Sequence, residues 1–308
     1  MPGMAELGAK DGRWTFDGEI VRIVPGHDRG VHKLRQTLGE RAVPLAAIAG
    51  IAYEPGKKGG RLKLRLRDGA DPLVQATGGN LVAAADPYCL AVPVEFTGTA
   101  EYFADELRNA LLLEQVPEGP AERYLVPGPA VPLSCNGTDG SATFDGEAVR
   151  LSWNWVTEES KKSAGSRSLN LSEIEAVEWQ VGSGFSDGCL RFRARGATTG
   201  LAPKHDPHSL TLWDTQKQVA GSALLAAAVV ARLPHPADRD TGTPALEQST
   251  TPPLALSKDP APADLAPPSG EEHDALLRRL RELAALRTEG VLSESEFEDA
   301  KRAVLRRF

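Results

Sequence analysis

Apolar and polar positions alternate with a period of two along much of this chain. In "RLKLRLR" Leu62, Leu64 and Leu66 alternate with Arg61, Lys63, Arg65 and Arg67, which predicts a strand with apolar side chains on one face and basic ones on the other. Short β-branched runs in "EIVRIV" and "EAVRLSW" each follow an Asp-Gly step, and further strand-like runs recur between turn signals. The period turns helical in "AEYFADELRNALLLE" and in "TQKQVAGSALLAAAVVARL". Several strands followed by one helix predict a small, strongly bent sheet or barrel, closed at one end by that helix.

The pattern is written twice. "TFDGE" begins at Thr15 and again at Thr143, and "PLAAIAGIAYEPG" from Pro44 lines up with "NLSEIEAVEWQVG" from Asn170. "RLKLRLRDG" from Arg61 matches "CLRFRARG" from Cys189, and "DPYCLAV" from Asp86 matches "DPHSLTL" from Asp206. Each series ends in one of the helical segments. Matches kept in one order imply two copies of one domain, each of about 100 to 115 residues, an ordinary domain size. The division reads as a first repeat over 1–118, a stiff Pro- and Gly-rich connector over 119–134 and a second repeat over 135–233.

Residues 234–270 change character. They are rich in Pro and poor in aromatics, so they cannot bury enough surface to fold and read as a disordered tether. A flexible chain of that length spans on the order of 35 Å. Over 271–308 helical spacing returns, with Leu276, Leu277, Leu280, Leu283 and Leu286 on one stripe and Gly290 as a stop. Ser293 and Glu296 form a capping-box pattern ahead of a second helix carrying Phe297, Ala300 and Val304. Two helices of this size make a poor independent core. Leu276, Leu280, Leu283, Phe297 and Val304 are therefore the expected oligomerisation or partner contacts.

Composition narrows the classes. At 308 residues the chain exceeds one usual domain, and 41% hydrophobic residues suffice for globular folding. A balance of 35 Lys+Arg against 42 Asp+Glu, net charge −7, argues against a protein devoted to nucleic acid. The 3 cysteines, Cys89, Cys135 and Cys189, lack the C-x-x-C spacing of zinc or redox sites and fit a reducing cytoplasm. No signal peptide is read at the N-terminus. The most apolar window, Ala223 to Ala231, falls short of the roughly 20 residues a spanning helix needs, so no transmembrane segment is expected.

Two resemblances follow from these residues. The leucine stripe, then Glu289-Gly290-Val291-Leu292-Ser293, Glu296-Phe297-Glu298 and Lys301, resembles the SHOCT (short C-terminal domain) family. That likeness implies a small helical pair with a role in oligomerisation or partner binding. The tandem repeats, with T-F-D-G-E, the Leu-x-x-Ile segment and the Asp-Pro-x-x-Leu before the last helix, resemble an actinobacterial family of unknown function often found in two copies ahead of a SHOCT tail. This implies a fold similar to the pleckstrin-homology (PH) barrel over residues 10 to 233. The first copy carries Tyr53 and Pro93 where the second has Trp179 and Trp213.

Candidate chemistry divides between the carboxylates and the basic strands. Asp17, Glu19, Asp145 and Glu147 would suit acid–base or metal chemistry, but an Asp-Gly step between strands is also the preferred two-residue hairpin turn, and no nearby histidine or second acid cluster completes a site. Asp17, Gly18, Asp145 and Gly146 are therefore read as structural turns. Lys57, Lys58, Arg61, Lys63, Arg65 and Arg67, repeated as Arg191, Arg193 and Arg195 with Lys161 and Lys162 on an earlier loop, are the expected partner-binding faces; the bland alternative is a solvated strand whose Lys and Arg guard a sheet edge. His205 and His208 flank Asp206-Pro207, but the aligned Ala85-Asp86-Pro87-Tyr88 has neither histidine, so no metal is assigned. Trp153 and Trp155 alternate as a recognition face or as packing, and Cys89 reads as a small buried residue.

These readings lead to one expectation: a cytoplasmic, non-enzymatic binding and assembly protein without a cofactor. Its two PH-like domains would recognise a partner, and its tail would associate with itself or another protein. The alternatives are peripheral binding to an anionic lipid surface through the basic strands and, second, an enzyme of uncharacterised activity.

Overall fold

The computed structural model describes residues 5–57, 59–182, 188–196 and 201–240. All lie in the first of two units, residues 1–245; the second, residues 246–308, falls outside the described residues. In the first repeat, strands β1 (Ala5–Ala9), β2 (Gly12–Phe16), β3 (Ile20–Pro25) and β4 (Arg41–Pro44) form an antiparallel meander. A second antiparallel sheet holds β5 (Ile48–Gly56), β6 (Gly59–Leu66) and β7 (Cys89–Val92). Short helices α1 (Lys33–Leu38) and α2 (Pro72–Thr77) interrupt the strands, and α3 (Thr97–Leu113) follows them.

The second repeat repeats this order. Its meander is β8 (Leu133–Asn136), β9 (Gly140–Phe144), β10 (Ala148–Trp153) and β11 (Arg167–Asn170); its second sheet is β12 (Ile174–Gln180), β13 (Gly188–Ala194) and β14 (Ser209–Leu212). Helix α4 (Glu159–Ala164) stands between β10 and β11, and α5 (Gln216–Val230) follows the last strand. Even an irregularity is shared, since the ladder skips one residue between Ile48 and Gly50 and between Ile174 and Ala176.

Among the described residues these are separate antiparallel sheets, four-stranded and three-stranded in each repeat, and the mainly β expectation holds while that of two closed PH-like barrels does not. The corner explains why. A turn of 3-10 helix at Leu45–Ala47, and again at Leu171–Glu173, breaks the ladder between the sheets. On the opposite side no ladder forms, and a side chain takes its place: the Asp11 carboxylate accepts from the Ala91 N–H at 3.2 Å, and Asp139 from the Thr211 N–H at 2.9 Å.

The two terminal helices are built differently. Helix α3 buries Ala100, Phe103, Ala104 and Leu107 and exposes Glu101, Tyr102, Asp105, Arg108 and Asn109; Phe103 meets the buried Trp14 edge-on, with ring centroids 6.3 Å apart. Helix α5 is buried almost all round, from Val219 through Val230. It packs on β8 and β12 of its own repeat and also on α1 and α2 of the first, so Leu34, Leu73 and Ala76 belong to the second repeat's core. A helix apolar on every side needs cover on every side. The apolar window at Ala223–Ala231 is thus the seam between the repeats. Gly221 allows the close approach, since a Cβ there would stand 3.1 Å from Cys135 Cβ.

The connector is strapped to the first repeat, not held away as a spacer. Arg67 donates to the carbonyls of Gly119 and Pro120, and the N–H groups of Ala121 and Leu125 reach the Asp68 and Ala70 carbonyls. Further on, Arg41 donates to Pro127 O at 2.7 Å and to Asp71 Oδ1 at 3.1 Å, while the Tyr88 hydroxyl donates to Asp71 Oδ2 at 2.7 Å. The start of the expected tether is also placed in the fold. Its buried His235 bonds through Nε2 to Gly69 O at 2.9 Å, and helix α6 (Pro236–Asp240) follows. The disordered reading from residue 234 therefore fails for its first residues, because a single imidazole anchors them to the first repeat.

Candidate functional site

The strand that alternated most cleanly is the central strand of its sheet. β6 lies between β5 and β7, buries Leu62, Leu64 and Leu66, and exposes Arg61, Lys63 and Arg65. A central strand has no open edge to guard, so the edge-protection reading does not apply to these cations. Small residues flank them: Gly50 pairs with Arg65, Ala52 with Lys63 and Ala91 with Arg61. Among the described residues no carboxylate lies within 4.0 Å of any of the three, although Glu54 is the cross-strand neighbour of Arg61. One end of the strand opens on a cleft of about 640 Å³ lined by Lys10, Asp11, Glu54, Pro55, Arg61 and Pro93. The other opens on a cleft of about 390 Å³ lined by Lys63, Arg65, Gln75, Asp86 and Tyr88.

The second repeat has the same strand with a different charge balance. Registers match pair for pair: Ala52 faces Lys63 as Glu178 faces Arg191, and Gly50 faces Arg65 as Ala176 faces Arg193. There the cations are neutralised. Glu178 reaches Arg191 and Arg193, each at 3.3 Å, and Asp206 holds the Arg191 Nε at 2.8 Å. Arg61 is matched by the buried Cys189. The outermost position serves structure in both repeats, since Arg67 donates to Ala46 O at 2.9 Å and Arg195 to the equivalent Ser172 O at 3.0 Å. Of the expected basic contacts, the structure thus groups Arg61, Lys63 and Arg65 as open, with Lys57 exposed on the adjoining hairpin. Arg67, Arg191, Arg193 and Arg195 are engaged within the fold, and Lys58 lies outside the described residues.

A family model described as a domain of unknown function, DUF4429, matches residues 14–108 and again residues 142–230. The chain belongs to this family. No curated protein matches it. Both DUF4429 repeats carry a buried ion pair that the sequence pattern did not reveal. Asp11 binds Arg35 at 2.6 Å and Asp139 binds Lys161 at 2.6 Å, with both cations fully enclosed. The signal was present as a second Asp-Gly step: "DGRWTFDGE" and "DGSATFDGE" share both. Lys161, expected with Lys162 as a basic contact on a loop, is instead buried on the short helix α4, and Arg35 on α1 had no counterpart to point to it because the two segments differ in length.

The carboxylates of T-F-D-G-E build turns in both DUF4429 repeats. Asp17 Oδ1 accepts from the Glu19 and Ile20 N–H groups at 3.1 and 2.8 Å, and Asp145 Oδ1 from Glu147 and Ala148 at 2.9 and 2.8 Å. These bonds hold both carboxyls below the usual carboxylate range. The corner itself is one residue later than expected. Asp17 N pairs with Ile20 O and Asp145 N with Ala148 O, so Gly18 and Gly146, with φ of 102° and 111°, take the first central position, where glycine relieves the steric cost. The remaining candidates separate. Trp153 is fixed by its Nε1 bond to Gly165 O and lies under the Lys161 ammonium, whereas Trp155 is 87% exposed and Trp213 58%. Asp206, like Asp86, caps its Asp-Pro turn by accepting from the N–H two residues on. Burial pushes the Cys89 thiol up to about 11 and Cys135 up to about 12. Leu276, Leu280, Leu283, Phe297 and Val304 lie outside the described residues.

Proposed function

We propose that this is a non-enzymatic binding and assembly protein whose first repeat recognises an anionic partner through Arg61, Lys63 and Arg65. One observation carries the reading: among the described residues Arg61, Lys63 and Arg65 have no carboxylate within 4.0 Å, while Arg191 and Arg193, the counterparts of Lys63 and Arg65, are neutralised by Glu178 and Asp206. Side chains that need only be soluble could be paired in both copies; leaving one set bare keeps its field available to a partner. A meander of four strands, a three-stranded sheet and a following helix in each repeat support a PH-like reading of the domains. Residues 271–308, read as SHOCT-like, supply oligomerisation or docking and raise avidity. Free, buried cysteines support a cytoplasmic location.

Catalysis is the weaker reading. Asp86 and Tyr88 line the smaller cleft, and burial raises the pKa of each, yet the Tyr88 hydroxyl is committed to the buried Asp71 and Asp86 to its turn. A second binding reading, an anionic lipid surface, is favoured by exposed Lys57 on the hairpin next to Arg61. The test is the triple variant Arg61→Gln, Lys63→Gln, Arg65→Gln in the full chain, assayed for salt-sensitive binding to a polyglutamate peptide and to phosphatidylserine vesicles. Loss of binding with unchanged melting supports the site. Binding that survives the triple change removes it.

A further inference from the structure

The second repeat contains a template for what the first repeat would bind. Glu178 on β12 projects between Arg191 and Arg193 and reaches both at 3.3 Å. The position equivalent to Glu178 in the first repeat is Ala52, exposed, opposite Lys63 and beside the pair Gly50–Arg65. The two ladders share register and bulge, so the place a carboxylate occupies in one repeat is bare in the other. We propose that the first repeat accepts a side-chain carboxylate of an acidic protein segment between Lys63 and Arg65, where Ala52 leaves the position of Glu178 open.

Three features extend this from one carboxylate to a segment. Arg61, Lys63 and Arg65 alternate along one strand, so their Cα atoms repeat at about 6.7 Å, the period of alternate residues in any extended chain. An acidic segment with carboxylates at every second residue matches that period cation for cation. Across the ladder on β5, Ala52 beside Lys63 and Gly50 beside Arg65 are small enough to let a backbone approach, whereas Arg61 lies between Glu54 and Ala91. The clefts at the two ends, about 640 Å³ and about 390 Å³, give the segment room to enter and leave the strand. A carboxylate is favoured over a phosphate because the internal occupant of the equivalent place is a carboxylate held by two guanidinium groups.

The inference rests on the reading of Arg61, Lys63 and Arg65 as a binding site, and its test separates the two. A labelled synthetic peptide alternating Glu and Ser is titrated against the full chain by fluorescence anisotropy, with the Gln-Ser peptide as control and phosphatidylserine vesicles as a competing probe. Ala52→Glu should restore the internal carboxylate and weaken peptide binding about tenfold, whereas Ala52→Gln, of equal size, should leave it nearly unchanged. Glu178→Ala should open Arg193, with Arg191 still held by Asp206, and add a second, weaker binding equivalent; Glu178→Gln repeats this arm if the alanine variant melts early. Equal peptide affinity in wild type and Ala52→Glu overturns the proposal. So does binding to vesicles without binding to the peptide, provided the triple Gln variant loses the vesicles; that outcome keeps the basic site and rejects the carboxylate segment. If the triple Gln variant retains every ligand, the basic-site reading falls as well.

Discussion

Replacing Lys161 by Met should destabilise the folded unit by about 3–5 kcal/mol, the cost of leaving one member of a buried ion pair alone. The local bonding supports a value in that range. The ammonium is fully enclosed, binds Asp139 Oδ2 at 2.6 Å and Ser209 O at 2.7 Å, and lies 4.8 Å from the Trp153 ring centre. Methionine keeps the length and the apolar stem but leaves the Ser209 carbonyl without that donor, a loss of about 1–3 kcal/mol. It also ends the cation–ring contact, about 0.5–2 kcal/mol, and strands the Asp139 carboxylate with the Thr211 N–H and hydroxyl as its donors. The second variant in the cycle, Asp139→Asn, and the double variant reveal the pair. Because the double change removes both charges, it should cost less than the sum of the single losses by about 1–3 kcal/mol. Urea unfolding monitored by tryptophan fluorescence gives each value from the midpoint and slope. A Lys161→Met loss below about 1 kcal/mol, or strictly additive single variants, would refute the assignment of this pair as a buried structural charge.

Two further outcomes are expected. His32 caps α1 by accepting the Leu34 N–H at Nδ1, 3.1 Å away, and burial holds its pKa below the usual 6.5, with Asp214 opposing and Arg35 adding to the shift. The unfolded chain then takes up the proton first, so the His32 contribution is complete above pH 6.5 and shrinks as pH falls below it; thermal melts from neutral to mildly acidic pH should show this decline, and His32→Asn, which can still cap, should flatten it. Deleting residues 271–308 should lower the number of chains per particle, read by light scattering as mass divided by chain mass, if the tail joins copies of the chain; an unchanged number removes self-association from the proposal.

Much of the architecture was legible because duplication doubles every signal. Leu62, Leu64 and Leu66 declared a strand by period, and the matched strand at Cys189 confirmed its place in the order. What stayed hidden depends on contacts distant in sequence. No period identifies Lys161 as buried, because lysine is ordinarily exposed and its partner Asp139 lies 22 residues away. The same limit applied to the basic faces. Alternation put Arg191 and Arg193 on an outer face as surely as Lys63 and Arg65, but their neutralisation depends on Glu178 across the ladder, and in the alignment Glu178 differs from Ala52 by a single unremarked letter. Likewise the apolar run at Ala223–Ala231 announced burial without saying that half of its cover comes from the other repeat.

That borrowed cover sets the two terminal helices apart. The first repeat lays α1 and α2 against α5, and the match works because α5 is apolar where they arrive. Helices packed on α3 in the same way would have to cover Glu101, Asp105, Arg108 and Asn109, which face water. Burying such groups without partners costs several kcal/mol each for the charged ones, more than the contacts of Tyr102, Leu112 and Leu113 would return. The outer face of α3 therefore does not form a seam of the kind that α5 forms. With α5 already enclosed, the exposed surface of the first repeat includes both the cations of β6 and Tyr102, Leu112 and Leu113 of α3.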